Sequence, residues 1–185
     1  MRKRLKTGRF SFSVQFSPVR LYDVNVYWGV RTDMPELIKP EMDELSFRKK
    51  MLENLHTMNW LGETIPFPKE NWKDFYESHV LADPSEKYYR LIYCPGCNDF
   101  VGSIGYEFSR ETNRYEMELL IDAGRRLCGY GRWALGALKN AAKNAGISSL
   151  AVRIAKTNTA YEFLEKYGFS RKEEDGDSYL EVCEL

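Results

Sequence analysis

The sequence predicts a mixed α/β domain built on a mostly antiparallel sheet, and three observations carry that prediction. Between residues 89 and 121 apolar side chains recur at every second position in three successive runs, the pattern of neighbouring antiparallel strands. From 132 to 145 the apolar spacing widens to three and four, which marks one face of a helix. Beyond 149, short strand-like and helix-like segments alternate to the end of the chain. A length of 185 residues is read as one domain spanning 1–185.

Taken in order, Phe10 to Phe16 alternates as a strand, and Val24-Asn25-Val26-Tyr27-Trp28 reads as another. Pro35 and Pro40 break the chain before a helix predicted over 41–61, where Met42, Leu45, Leu52, Leu55 and Met58 share a face and Gly62 stops it. A stiff loop, Thr64 to Pro68, leads to a second helix over 69–81, with Trp72, Phe75, Tyr76 and Val80 on one stripe, ended at Asp83-Pro84. Tyr89–Tyr93 and Phe100–Tyr106 flank the turn Cys94-Pro95-Gly96-Cys97-Asn98-Asp99 and form a hairpin, and Tyr115–Ile121 adds a third strand. The helix over 132–145 buries Ala134, Ala137, Leu138, Ala141 and Ala145, with Gly146 as its left-handed cap. Leu150 to Ile154 is a strand, 159–167 a short helix ended by Gly168, and Ser178 to Leu185 the last strand.

Composition excludes several function classes. Twenty-seven basic and twenty-seven acidic side chains leave no net charge, so no chain-wide field gathers nucleic acid or anionic lipid. No run approaches the roughly 18 apolar residues that a membrane span needs. The basic stretch Arg2 to Arg9 leads into an alternating segment rather than an apolar signal core, so the protein is expected in the cytoplasm with its four cysteines reduced. Cys94 and Cys97 have the spacing of half a zinc site or of a redox pair. Cys128, Cys183, His56 and His79 do not complete a metal set, so no metal is expected and turn chemistry explains the pair best.

The informative segment runs from Ile121 to Arg132, a strand feeding a glycine-containing turn that opens a helix. Glycines at 129 and 131 allow close backbone approach to a bulky anion, and the N–H groups of a first helical turn point at it with the positive end of the helix dipole. The turn lacks the Gly-Lys-Ser/Thr of a P-loop and the three glycines of a dinucleotide fingerprint. In register, Arg126, Gly129 and Gly131 resemble the Gln/Arg-x-x-Gly-x-Gly/Ala pyrophosphate loop of the GNAT superfamily of acyl-CoA N-acyltransferases. Downstream, Asn158 and Phe163-Leu164-Glu165-Lys166-Tyr167-Gly168-Phe169 are similar to that family's closing helix, so the recognisable acyl-CoA-binding half covers 98–185.

The resemblance implies a mostly antiparallel central sheet with a splayed parallel strand pair and helices on both faces. It implies acetyl-CoA as co-substrate, with its pyrophosphate on the main chain of Leu127, Cys128, Gly129, Tyr130, Gly131 and Arg132 and charge from Arg126 and Arg132. The pantetheine arm would lie at a bulge near Leu119, Leu120 and Ile121, with Asn158 close by. Acetyl transfer to a primary amine of a small molecule or peptide, by direct attack in a ternary complex, is the expected reaction.

An acceptor amine must lose a proton before it attacks. Glu116 and Glu118, alternating on one strand face before Ile121, are the candidate bases, with a solvated strand face as the alternative for each. The tyrosine acid usual in the family is Leu164 here. Tyr161, one turn earlier, is the candidate substitute, and solvent is a sufficient proton donor for a departing thiolate. Leu164 also raises a rival expectation, a non-catalytic CoA-binding protein. The aromatic set Trp60, Phe67, Trp72, Phe75 and Tyr76 is expected to wall an acceptor site suited to an apolar or cationic body. The first 20 residues exceed the family's usual start and are expected to add an edge strand or mediate a homodimer.

Overall fold

A computed structural model describes residues 34–59, 62–158 and 160–185. The strand expectations at 10–16 and 24–28, the edge-strand or dimer role of the first 20 residues, Trp60 and Thr159 lie outside the described residues.

Seven strands form one sheet in the order β1-β2-β3-β4-β5-β7-β6. They are β1 (Glu36–Ile38), β2 (Lys87–Cys94), β3 (Asp99–Ser109), β4 (Arg114–Ile121), β5 (Ser149–Ala155), β6 (Ser170–Asp175) and β7 (Ser178–Glu184). Every neighbouring pair is antiparallel except β4 and β5. On one face lie α1 (Leu45–Leu52) and α2 (Trp72–Phe75), the latter entered through a 3-10 turn at Lys69–Asn71 and continued by a π-helical turn at Tyr76–Val80. On the other lie α3 (Tyr130–Asn144) and α4 (Ala160–Lys166).

The two faces build separate cores, and both are needed to hold the sheet. Leu45, Met51, Met58 and Trp72 pack on Tyr89, Leu91 and Leu120 beneath α1 and α2. Ala134, Leu135, Leu138 and Ala142 of α3 pack on Val101, Ile104, Leu150 and Ile154. The buried stripe of α3 is rotated from the alanine face read in the sequence: Ala137, Ala141 and Ala145 are half-buried, because Leu135 offers more apolar area to the sheet than alanine does. Gly146 adopts φ +80° and Ile147 N–H returns to Ala142 O at 3.0 Å, closing the helix as a left-handed glycine permits.

Three elements depart from expectation. The helix over 41–61 is cut to Leu45–Leu52, since Asn54 Oδ1 accepts from His56 and Thr57 N–H at 2.9 and 3.1 Å and turns the chain away. The charged segment Ser170–Asp175 is an edge strand on β7, and its polarity suits an exposed sheet edge. Finally, the ladder between β3 and β4 runs unbroken from Gly102↔Ile121 to Ser109↔Arg114, so the bulge expected near Leu119–Ile121 does not interrupt it. The splay arises on the other side of β4, where β5 pairs only at Glu116↔Ala151.

Candidate functional site

Because β4 and β5 share a single register position and then part, Met117 to Ile121 of β4 and Val152 to Ile154 of β5 wall a cavity of about 1020 Å³. Its floor is closed by Phe163 and Leu164 of α4, and Leu52, Met58, Asn59 and Ile65 approach from the α1 side. The mouth carries Arg125, Arg126, Leu127, Gly129, Gly131 and Arg132, the loop that opens α3.

That loop has an uncommon backbone. Leu127 has φ +61° with its side chain wholly exposed, and Gly129 follows at φ +87° as the N-cap residue just before α3. A leucine in this region costs on the order of 1–2 kcal/mol and gains no burial in return. No side chain caps α3. A β-carbon on Gly129 would meet no atom within 4 Å, so the space in front of this turn is open for an anion. These features fit a diphosphate on the loop and an extended thioester arm in the strand gap.

The expected cofactor-binding residues divide by position. Leu120, Ile121, Arg126, Leu127, Gly129, Gly131, Arg132 and Asn158 line the cavity. Cys128 is exposed beside it, and the Tyr130 side chain turns under the sheet, where its hydroxyl donates to Cys94 Sγ at 3.1 Å. The Arg126 guanidinium latches the loop to the turn after α1, donating to Thr57 O at 2.5 Å, Asn59 Oδ1 at 3.1 Å and Ile121 O at 3.4 Å. Asn158 Oδ1 accepts from Ala160 N–H at 3.0 Å and so shapes the entry to α4 while facing the cavity.

Among the candidate catalytic groups, only Glu118 lines the large cavity. Its carboxylate is held by Arg48 of α1 in a two-toothed pair, Nη1–Oε1 at 2.5 Å and Nη2–Oε2 at 3.0 Å. The Arg48 guanidinium stands over the rings of Phe75, Tyr89 and Phe67 at 4.6, 5.0 and 5.6 Å. Burial raises the Glu118 pKa, but the Arg48 charge and its hydrogen bonds outweigh it and hold the carboxyl below the usual range. Glu116 accepts from Thr112 Oγ1 at 2.7 Å and faces a second cavity. Tyr161 lies outside the lining of both, with its hydroxyl 3.5 Å from Glu162.

The second cavity, of about 230 Å³, sits over the sheet under α1 and α2 and shares Arg48, Met117 and Glu118 with the first. Phe75, His79, Tyr89, Glu107 and Glu116 face it. His79 stacks on Phe75 at 4.4 Å, and burial followed by the nearby Lys87 charge lowers its pKa, leaving it neutral at pH 7. Of the aromatic set expected to wall an acceptor site, Phe75 lines this cavity, Phe67 and Trp72 are core, and Tyr76 packs partly buried against that core without lining either cavity. Arg48 was invisible to sequence reasoning, since nothing local announces an ion pair across 70 residues. Among the described residues no group of three or more His, Cys, Asp or Glu side chains could hold a metal ion, and no helix is long and apolar enough to cross a membrane.

A family model described as acetyltransferase (GNAT) family matches residues 52–169. No curated protein is matched by the sequence. Among solved structures the fold is similar to a domain from Methanocaldococcus jannaschii, with a TM-score of 0.68 at 16% identity over 83% of this chain and 99% of that one. It is also similar to the PaiA N-acetyltransferase from Thermoplasma acidophilum in complex with coenzyme A, with a TM-score of 0.64 at 14% identity over 82% and 99%. The spermidine N-acetyltransferase from Vibrio cholerae, in complex with CoA and spermine, gives a TM-score of 0.65 at 14% identity over 82% and 94%. These likenesses establish the fold, and the family model spans well over half of the sequence. The chain therefore belongs to the acetyltransferase (GNAT) family of acyl-CoA-dependent N-acetyltransferases, with acetyl-CoA as co-substrate.

Proposed function

We propose that the protein moves the acetyl group of acetyl-CoA to a primary amine of a small molecule or peptide, by direct attack in a ternary complex in the cytoplasm. The observation that carries this reading is the open parallel pair, joined at Glu116↔Ala151 alone, with the glycine-bearing start of α3 at its mouth. Main-chain amides between Leu127 and Arg132 hold the diphosphate, with Arg132 adding charge. Main-chain groups of β4 near Leu120 and Ile121, where β5 has parted from it, hold the arm and stabilise negative charge developing on the thioester oxygen.

The acceptor occupies the smaller cavity with its amine at Glu118, where the two cavities meet. Phe75 and Tyr89 offer ring faces, and Glu107 and Glu116 offer carboxylates, a lining suited to a cationic aliphatic or aromatic body. Glu118 remains ionised beside Arg48, so it orients the amine and takes its proton through water rather than acting as a strong base. Solvent returns a proton to the departing thiolate, whose pKa of about 8.5 makes it a fair leaving group.

A rival reading, CoA binding without turnover, is favoured by one observation: Leu164 faces the cavity, and no tyrosine is among the described residues lining it. Release of free thiol from acetyl-CoA across a panel of diamines, amino sugars and peptides tests both. Turnover with any cationic amine supports transfer. Tight acetyl-CoA binding with no thiol released across the panel supports the rival.

A further inference from the structure

The turn between β2 and β3 places two thiols where the acetyl-transfer reading has no use for them. Pro95–Cys97 forms a single 3-10 turn, closed by Asn98 at φ +50°, and this brings Cys94 Sγ and Cys97 Sγ to 3.0 Å. Cys94 is buried, at 2% exposure, while Cys97 is open to solvent. Around Cys97 stand the Cys94 thiol, which donates to it, Arg125 Nη1 at 3.6 Å and the Tyr130 hydroxyl at 3.5 Å, whose proton goes to Cys94 Sγ at 3.1 Å. The Cys94 and Tyr130 contacts, with the Arg125 charge, pull its pKa below the usual thiol value against burial and Asp99. Tyr130 moves the other way: burial and its sulfur contacts hold it as a neutral phenol that donates. A partly exposed thiol among donors beside a buried second thiol is the arrangement of a nucleophile with its resolving partner.

We propose that Cys94 and Cys97 form a reactive dithiol site that takes low-molecular-weight disulfides, with Cys97 as nucleophile and Cys94 as resolving thiol, and that its oxidation weakens acetyl-CoA binding. The Cys97 thiolate attacks one sulfur of the small disulfide, forming a mixed disulfide and releasing the first thiolate, which takes up a proton from solvent. Cys94, losing its proton to solvent, then attacks Cys97 Sγ and expels the second thiolate. Two protein thiols are oxidised and one small disulfide is reduced to two thiols. The sulfurs must close from 3.0 Å to the bonded distance of about 2.05 Å.

The link to the acyl-CoA loop runs through the same donors and rests on the acetyl-CoA reading above. Tyr130 is the first residue of α3 and Arg125 precedes the strained Leu127–Gly129 backbone, so both flank the segment assigned to the diphosphate. Oxidation removes the Cys97 thiol that Arg125 donates to and turns Cys94, the acceptor of the Tyr130 proton, into a disulfide sulfur, which leaves the buried Tyr130 hydroxyl, 5% exposed as a residue, with a poorer acceptor. The loop loses its sulfur contacts on the β2–β3 side, while the Arg125–Asp99 pair at 3.7 Å and the Arg126 latch remain.

The full chain is first reduced, then exposed to oxidised glutathione at pH 7, and unreduced peptides are mapped by mass over time. The expected result is a Cys94–Cys97 disulfide formed at least about threefold faster than modification of the exposed Cys128 in the same chain. Cys94→Ser is expected to retain one glutathione on Cys97, and Cys97→Ser to leave Cys94 unmodified. Modification of Cys97 no faster than Cys128, or no adduct on Cys94→Ser, overturns the site. Acetyl-CoA titration then reads the coupling: an oxidised chain at least about fivefold weaker than the reduced one, with treated and untreated Cys97→Ser alike, is expected. Equal affinities of the two wild-type forms overturn the coupling. A chain that binds no acetyl-CoA in either form overturns the acetyl-transfer reading, and the mass readout still decides the thiol chemistry.

Discussion

Replacing Gly131 by alanine separates the helix from its ligand, because the substitution acts on each with opposite sign. Gly131 lies in the first turn of α3 and is not in the left-handed region, so alanine adopts its backbone without strain. The new methyl group would lie 3.9 Å from Phe163 Cζ and 4.0 Å from Ile121 Cγ1, ordinary contacts that require nothing to move. Relieving a helical glycine is worth about 0.5–1 kcal/mol, which for a domain of this size raises Tm by roughly 1–4 °C in the absence of ligand. The methyl group also stands among atoms that line the large cavity, where it would crowd a diphosphate held by this loop as proposed. A tenfold loss of affinity cuts the stabilisation at an acetyl-CoA concentration 100 times the wild-type Kd from about 2.7 to about 1.4 kcal/mol. Differential scanning fluorimetry with and without acetyl-CoA reads both quantities on one sample. A variant that is destabilised without ligand, or that keeps the full wild-type shift with it, refutes the placement of the diphosphate.

Three further outcomes follow from the same geometry. Glu118→Gln is expected to lower kcat/KM by about 10- to 100-fold in the thiol-release assay, and to destabilise by about 1–2 kcal/mol because Arg48, with its side chain 11% exposed, loses its counter-ion. The Glu118 carboxyl is depressed in the fold, so its contribution is complete above the unfolded value of about 4.3 and lost as pH falls through the lower folded value; denaturation midpoints of this variant and wild type should converge only under acid. Glu181→Gln is expected to stabilise by about 1–3 kcal/mol above pH 7, since both carboxylate oxygens are buried without a hydrogen-bond partner among the described residues. Burial, then repulsion from Glu165, raises this carboxyl, so its folded form favours the proton, the stability it contributes is lost as pH rises, and the gain in Tm should shrink toward pH 4. Tyr161→Phe should change kcat less than about twofold, a result that a larger loss would contradict by making this hydroxyl the proton donor.

Much of the sheet was legible because its signals are local. Period-two runs at Tyr89–Tyr93, Phe100–Tyr106 and Tyr115–Ile121 fall within β2, β3 and β4, and Gly146 and Gly168 stop their helices at φ +80° and +88°. The glycine-bearing turn at the mouth of the large cavity was legible for the same reason, since Gly129 and Gly131 lie two positions apart in the sequence. What escaped depended on partners distant along the chain. Arg48 belongs to the site only because α1 crosses β4, and the charged strand Ser170–Asp175 exists only because β7 offers it an edge. Glu116 and Glu118 are indistinguishable in sequence, yet one is held by Thr112 and the other by Arg48 at the junction of two cavities. Tyr161 and Leu164 share a helix face by spacing, but Leu164 lines the large cavity and Tyr161 does not.

A crystal structure of the reduced chain with coenzyme A tests the central claim most directly. The expected result is a diphosphate within hydrogen-bond distance of main-chain amides between Leu127 and Arg132, and an arm threaded between β4 and β5 with its sulfur near Glu118. Nucleotide density elsewhere on the molecule, with the gap between Met117–Ile121 and Val152–Ile154 filled by side chains, would contradict it.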